Sequence, residues 1–336
     1  MSRLLALAYS DIHKYSFPAF AKEKYSRFKM SLSVEEYISK QAKELKVPVL
    51  FCGDMFHDPK SLENYILEES IAHFGKHFHK NSIQFYAISG NHDMSEKNLK
   101  DNISPTYLRA FDKMGFSNFN LVDNKRETIG AGVDVYGIPY YHDDSYFFER
   151  IKELNRKLKT EKHYNRRSIL LIHRDIPGAA TPLGFKTEDI QGFPKKIDKL
   201  WDNFTWVLSG HIHKPQQLSD KCFMLGSPIH QTTGDIGCEM GYWKVYDDKV
   251  KFISLNHLFP TFIQLGPGEE PYNDKDYFLP FIEDKKEDNK EGTITFSTSL
   301  TPKKLVKRYF KAKGLKNKTQ RRILTNLLID AKNDNI

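Results

Sequence analysis

Six short apolar runs, at residues 4–8, 48–51, 83–88, 133–138, 169–172 and 206–208, are spaced along the chain, and five of them lead within a few residues into Asp, His or Asn. Runs of this length, rich in Val, Ile, Leu and Phe, read as strands buried on both faces. Helical patterns lie between several of them: residues 34–45, opened by Ser33 as N-cap with Glu36 three positions on, and residues 62–78. Strand, helix, strand predicts an α/β sheet. After Cys222 the runs draw closer together, at 222–225, 241–246 and 249–254, the last two joined by Asp247-Asp248. This predicts a largely antiparallel sheet that completes the first domain near His257.

At 336 residues the chain is long enough for about two domains. Its 24 Phe and 17 Tyr exclude a disordered chain. The first apolar stretch, residues 4–9, is far shorter than the roughly 18 residues a spanning helix needs, so no membrane is expected and no export signal is read. Cys52, Cys222 and Cys238 form no Cys-x-x-Cys pair, which speaks against a disulfide framework and a cysteine zinc site and favours a reducing cytoplasm. The net charge of +8 belongs to the C-terminal end. Residues 301–336 carry 11 Lys and Arg against 2 Asp and Glu, leaving 40 against 41 before them, so a polyanion-binding main body cannot be argued from composition.

Three segments are expected: a main domain over 1–258, a small α+β cap with an acidic linker over 259–300, and a basic amphipathic helical segment over 301–336. Residues 266–292 carry Pro, Asn and the acidic Glu283, Asp284, Glu287 and Asp288, with one strand available at 277–282. Thr301-Pro302 opens a helix with Leu305, Val306, Tyr309 and Phe310 on one face, Gly314 ends it, and a second helix places Ile323, Leu324, Leu327 and Leu328 on a stripe.

The blocks at the strand ends are Asp11-Ile12-His13, Gly53-Asp54, Gly90-Asn91-His92-Asp93, His173, and Gly210-His211-Ile212-His213. In open α/β sheets the carboxyl ends of the strands face one crevice, so groups far apart in sequence converge there. Carboxylates, an amide oxygen and several imidazoles, with no thiolate, suit manganese, iron or zinc better than an all-oxygen magnesium cage. Seven ligands are too many for one tetrahedral ion; with one bridging carboxylate they supply four to each of two.

This ordered set resembles the calcineurin-like metallophosphoesterases, whose signature runs D-x-H, G-D, G-N-H-D/E, H, G-H-x-H. The resemblance implies an αββα sandwich of two mixed sheets flanked by helices, with a small cap and a C-terminal helical segment. Gly53-Asp54-Met55-Phe56-His57, Gly226-Ser227-Pro228 and the segments after the main domain look most like the SbcD-type recombination nucleases, and phage-encoded versions of about this length are similar overall. Lys14-Tyr15 stands where that family often has Leu-Gly. The resemblance implies that Asp11, His13, Asp54 and His213 hold one divalent ion and Asp54, Asn91, His173 and His211 a second, with Asp54 bridging. Mn2+ is the expected metal, with Mg2+, Fe2+ or Zn2+ as alternatives. His92 corresponds to the family's catalytic histidine, Asp93 is expected to hydrogen-bond it and keep it protonated, and His57 matches a position near the substrate.

The function implied is a manganese-dependent 3′–5′ DNA exonuclease and single-strand endonuclease subunit, acting in recombination, repair and replication. Its partners would be DNA and an SbcC-like coiled-coil ATPase gripped by the C-terminal helices. Residues 98–113 are a candidate homodimer surface. The alternatives are a stand-alone phosphodiesterase or phosphatase, and a DNA- and ATPase-binding scaffold whose nuclease is dispensable. The basic helices admit three readings, a solvated face, a phosphate contact or partner docking, of which docking is preferred. His73, His77 and His79 read as a solvated helix face, and His142 with Asp143 and Asp144, and His230 with Asp235, as loop polarity.

Overall fold

A computed structural model of the protein describes residues 2–18, 21–94, 106–130, 132–160, 167–187, 190, 192–194, 196–266, 269–271 and 276–279. The chain divides into two compact units, Met1–Phe281 and Ile282–Ile336. The second unit, which holds the expected basic helical segment and most of the expected acidic linker, lies outside the described residues, as do residues 98–105 of the candidate dimer surface.

Along the chain come β1 (Leu4–Tyr9), α1 (Ser26–Leu45), β2 (Val49–Phe51), α2 (Asn64–Phe74), β3 (Phe85–Ala87), α3 (Arg109–Lys113), β4 (Phe119–Leu121), β5 (Arg126–Ile129) and β6 (Val133–Ile138). They are followed by α4 (Asp144–Thr160), β7 (Arg167–His173), β8 (Trp206–Gly210), β9 (Gln216–Gln217), β10 (Cys222–Met224), β11 (Gly241–Tyr246), β12 (Val250–Ser254), β13 (Phe262–Gln264) and β14 (Tyr277–Leu279). One six-stranded sheet runs β12-β11-β1-β2-β3-β4 and a second runs β5-β6-β7-β8-β10-β9. Both are mixed: β1 to β4 are mutually parallel and continue antiparallel through β11, while β6, β7, β8 and β10 are parallel between antiparallel edges. A separate parallel ladder joins β13 to β14.

Alternation along each strand assigns its two faces. On β1, Leu7 and Tyr9 pack with Phe28, Val34 and Ile38 of α1, while Ala6 and Ala8 face the layer between the sheets. Val49 and Phe51 divide from Leu50 and Cys52 in the same way. On β7, Ile169 and Leu171 enter the inter-sheet layer, and Leu170 and Ile172 pack outward on Phe147 and Ile151 of α4. Two-faced burial is why the runs are continuously apolar.

Three local expectations are corrected. Helix α1 begins at Ser26, eight residues before the stretch read from sequence; Ser33 is no N-cap but donates its Oγ–H to the carbonyl of Lys29 inside the helix. The extra turns bury Phe28 and Met30. The strand after Cys222 joins the second sheet parallel to β8, so the late strands do not form one antiparallel sheet; only β11 and β12 pair that way, beside β1. His73, His77 and His79 are no solvated face: residues Gly75–His79 form a π-helical turn, His77 is buried, and His79 Nδ1 lies 2.7 Å from Asn118 Oδ1.

Beneath the ends of β1 and β2, Lys14 and Glu35 are both buried and their charges meet at 2.7 Å, with Tyr9 donating its hydroxyl to the same carboxylate at 2.9 Å. Removing one member of a buried pair strands the other charge, at a cost of about 3–5 kcal/mol. Urea unfolding of metal-free Lys14→Met is expected to show that loss, with Lys14→Met/Glu35→Leu recovering most of it. A single variant as stable as the parent would mean the pair carries nothing.

Candidate metal centre

Five parallel strands end on the same side of the two sheets, and each delivers one polar block. β1 leads into Asp11 and His13, β2 into Asp54, β3 into Asn91 and His92, β7 ends on His173, and β8 leads into His211 and His213. Four of these side chains leave the backbone where only glycine is at ease: φ is +54° at Asp11, +43° at His13, +60° at Asp54 and +93° at His211. Strain of this kind costs of order 1–3 kcal/mol per residue and persists where the surroundings enforce it.

The enforcement is visible. Asp11, His13 and Lys14 donate their backbone N–H groups to the carbonyls of Gly53, Asp54 and Met55 at 3.0, 3.1 and 2.8 Å, which lays the first loop along the second. Asp93, fully buried, accepts the N–H groups of Asp54 (2.8 Å) and Gly90 (3.0 Å) on Oδ2 and of Met55 (2.9 Å) and Phe56 (3.1 Å) on Oδ1. Burial, and then the nearby Asp54, push its pKa up to about 7. This corrects the sequence reading of Asp93 as the partner of His92. The carboxylate is occupied by loop backbone, and the His92 ring instead meets the carbonyl of His57 through Nδ1.

All seven candidate ligands come together. Donor atoms of Asp11, His13 and His213 lie within 4.8 Å of one another, and so do those of Asp54, His173 and His211. Asp54 Oδ2 reaches both groups, 3.7 Å from His13 Nε2 and 3.1 Å from His173 Nε2. Asn91 Oδ1 stands 3.0 Å from His173 Nε2 and 3.0 Å from His211 Nδ1. His13 and His213 oppose their Nε2 atoms at 3.2 Å.

The donor chemistry fits cations. His173 donates Nδ1–H to the carbonyl of Cys52 at 2.6 Å, so its Nε2 turns a lone pair toward Asp54 and Asn91, acceptor against acceptors. A shared cation reconciles that arrangement; so does a second proton. Burial alone would lower the pKa of His173, but Asp54 outweighs it and lifts the group to about 9. Burial would likewise raise Asp54, yet His173, His92 and His13 draw it well below the ordinary value. Burial pushes the His13 pKa well below the usual imidazole value, which favours the neutral form that a metal would need.

His57 and His92 flank the first group. Their rings stack at 5.2 Å, and His13 lies 5.3 and 4.9 Å from them. His57 Nδ1 is 3.4 Å from His13 Nδ1, and burial, with His92, lowers its pKa to about 4.

The calcineurin-like phosphoesterase family matches residues 5–215, a span that contains every one of these side chains. The chain belongs to that family. It is therefore a metal-dependent phosphoesterase, from a family whose members use two divalent ions. The fold is also similar to a dimetal phosphatase from Danio rerio, with 11% identity, a TM-score of 0.47, and 76% of this chain and 99% of that one covered. Against TT1561 of Thermus thermophilus the values are 13%, 0.43, 76% and 100%. Neither likeness bears on what this chain acts on.

Three residues beside the phosphoesterase centre escape the sequence reading. Asp175 Oδ2 lies 3.6 Å from His211 Nε2, two residues beyond His173, where the spacing alone is the available signal. Tyr140 sets its ring 5.6 Å from that of His211. Asp235, read as loop polarity, is buried with Oδ1 3.9 Å from His213 Nδ1, while its Oδ2 accepts the N–H groups of Gln231 (2.7 Å) and Thr232 (2.9 Å). Its neighbour His230 stays structural, donating Nε2–H to Cys238 and accepting the N–H of Phe262. Asp143 starts α4, accepting the N–H of Ser145 at 2.8 Å.

Two outcomes of manganese titration calorimetry follow. Asp235→Asn keeps the shape but removes the charge behind His213, and should weaken metal binding about 10–100-fold. Gly53→Ala, at φ +91°, would set a methyl carbon 2.6 Å from His173 Nδ1 and 2.7 Å from the Gly90 nitrogen, and should abolish tight binding. Parent-like isotherms would contradict the geometry described above.

Proposed function

We propose that this phosphoesterase is an SbcD-type DNA nuclease subunit, a manganese-dependent 3′–5′ exonuclease and single-strand endonuclease working with a coiled-coil ATPase in recombination and repair. The observation that carries the reading is the seven-residue cluster with Asp54 between its halves and the His57–His92 pair beside it. The variant Gly53 to His57 block and the basic end of the chain add to it. In this reading Asp11, His13, Asp54 and His213 hold one ion, and Asp54, Asn91, His173 and His211 the other. Mn2+ is the metal the resemblance implies, with Mg2+, Fe2+ or Zn2+ as alternatives; the mix of imidazole with carboxylate suits manganese, iron or zinc better than magnesium. The segment 259–300 would contribute to DNA binding, 301–336 to gripping the ATPase, and residues 98–113 to a homodimer, in the cytoplasm.

When bound, the two ions supply the Lewis acidity that makes water nucleophilic near neutral pH and offset the charge on the phosphodiester. The chain's own groups do the remainder. His92 has Nδ1–H committed to the His57 carbonyl and its backbone N–H to Asp54 Oδ1 at 2.9 Å, so its ring is held at the edge of the cluster, 4.9 Å from that of His13. There it can hydrogen-bond the phosphoryl group or hand a proton to the leaving oxygen as the P–O bond breaks. Water provides the incoming oxygen, and cutting at a 3′ end yields nucleoside monophosphates. No helix among the described residues is long and apolar enough to cross a membrane.

End-labelled duplex and single-stranded DNA, incubated with manganese, should be degraded, and a chelator should stop the reaction. His92→Ala should lower the rate by about 10²–10⁴ while still binding two equivalents of manganese, and Asp54→Ala should bind no more than one. Intact DNA alongside hydrolysis of a small phosphodiester would replace this reading with a small-substrate phosphodiesterase. Recombination unimpaired by His92→Ala would favour a scaffold.

A further inference from the structure

The loop leaving β1 carries two aromatic residues just past the ligand positions. Tyr15 and Phe17 lie 5.1 Å apart, and both touch His57, at 5.1 and 4.7 Å between ring centroids. His57 in turn stacks on His92. Rings thus run outward without a break from the metal cluster to Phe17. Both residues are only half-buried, and among the described residues neither joins any of the three apolar cores. Among the described residues, core packing therefore does not account for two large aromatic side chains at this spot.

Their loop is fastened in place. Ser16 donates its hydroxyl to Glu63, which also accepts the Tyr25 hydroxyl at 2.8 Å. Arg27 sets its guanidinium 4.9 Å from the Phe17 ring and is itself anchored by the carbonyls of His230 and Gln231 at 2.9 and 3.0 Å. A wall immobilised before the ligand arrives loses little entropy on binding. Flat rings beside a phosphodiester-cleaving centre suit a partner that carries a π face close to its phosphate.

We propose that Tyr15 and Phe17, continued by His57, form a stacking subsite for the nucleobase next to the phosphodiester that is cut. The subsite rests on the nuclease reading above and gives it a way to grip nucleotides of any sequence, since every base has a π face. It also gives a function to Tyr15, which with Lys14 stands where the family this chain resembles often has Leu-Gly.

The test compares kcat/KM on a labelled single-stranded oligonucleotide with its terminal nucleotide intact and on the same strand with that nucleotide abasic, using full-length protein and manganese. Wild type should lose about 5- to 150-fold on the abasic strand, the range that stacking one base spans. Tyr15→Leu and Phe17→Leu should lose activity on the intact strand but nothing further on the abasic one, and Tyr15→Trp should keep the wild-type rate. Equal wild-type rates on the two strands would overturn the subsite while leaving the nuclease reading standing, and that arm needs no substitution. Leucine variants with the same deficit on both strands would overturn it too. Wild-type protein that cuts neither strand would remove the nuclease reading and the subsite with it.

Discussion

One buried carboxylate fixes the shape of the centre. Asp93 gathers four backbone N–H groups from two loops, and in doing so holds Asp54 at a positive φ that an aspartate seldom adopts alone. Asp54 then reaches both halves of the cluster, accepts the N–H of His92, and offers its carbonyl to His13. The position of a catalytic-type histidine and of a bridging-type carboxylate thus depends on a side chain that is itself turned into the loop backbone.

The sheets bring the blocks within reach of one another. Ala6, Ala8 and Cys52 are the small residues that β1 and the end of β2 turn into the inter-sheet layer. At the strand ends the approach is close: Ser10 donates its hydroxyl to the Cys52 carbonyl, His173 reaches the same carbonyl from the other sheet, and Gly210 leaves no room for a methyl group between Ser10, Cys52 and His173. The candidate ligands after β1 and β2 can approach those of β7 and β8 because the residues behind them are this small.

Much of this is legible in the residues, and what is not has physical causes. The short apolar runs and the polar residues after them are local signals, and five such blocks in order identify both the layers and the convergence point. Strand partnership is not local: nothing in Cys222, Phe223 and Met224 says that they align with β8 instead of β11. Ser33 misplaces the start of α1 because it has the chemistry of an N-cap, while Phe28 and Met30, whose burial extends the helix, carry no capping signature. Asp93 pairs with His92 on paper because adjacency in sequence suggests adjacency in space. At a tight loop neighbouring side chains diverge, and this one turns inward.

The two histidines of the Gly-His-x-His block show why the surroundings of a ligand matter as much as its identity. His211 faces Asn91 with Nδ1 and has Asp175 behind Nε2, whereas His213 faces His13 with Nε2 and has Asp235 behind Nδ1. Cation binding through both of these faces would call for opposite tautomers two residues apart, and a separate carboxylate stands behind each ring. Asp235 is the more telling of the two, because one of its oxygens is buried without a hydrogen bond, a state that ordinarily costs about 1–3 kcal/mol or more. Burial opposes a charge on His213, but Asp235 raises that ring's pKa, so a positive charge on the imidazole would find its partner in this oxygen.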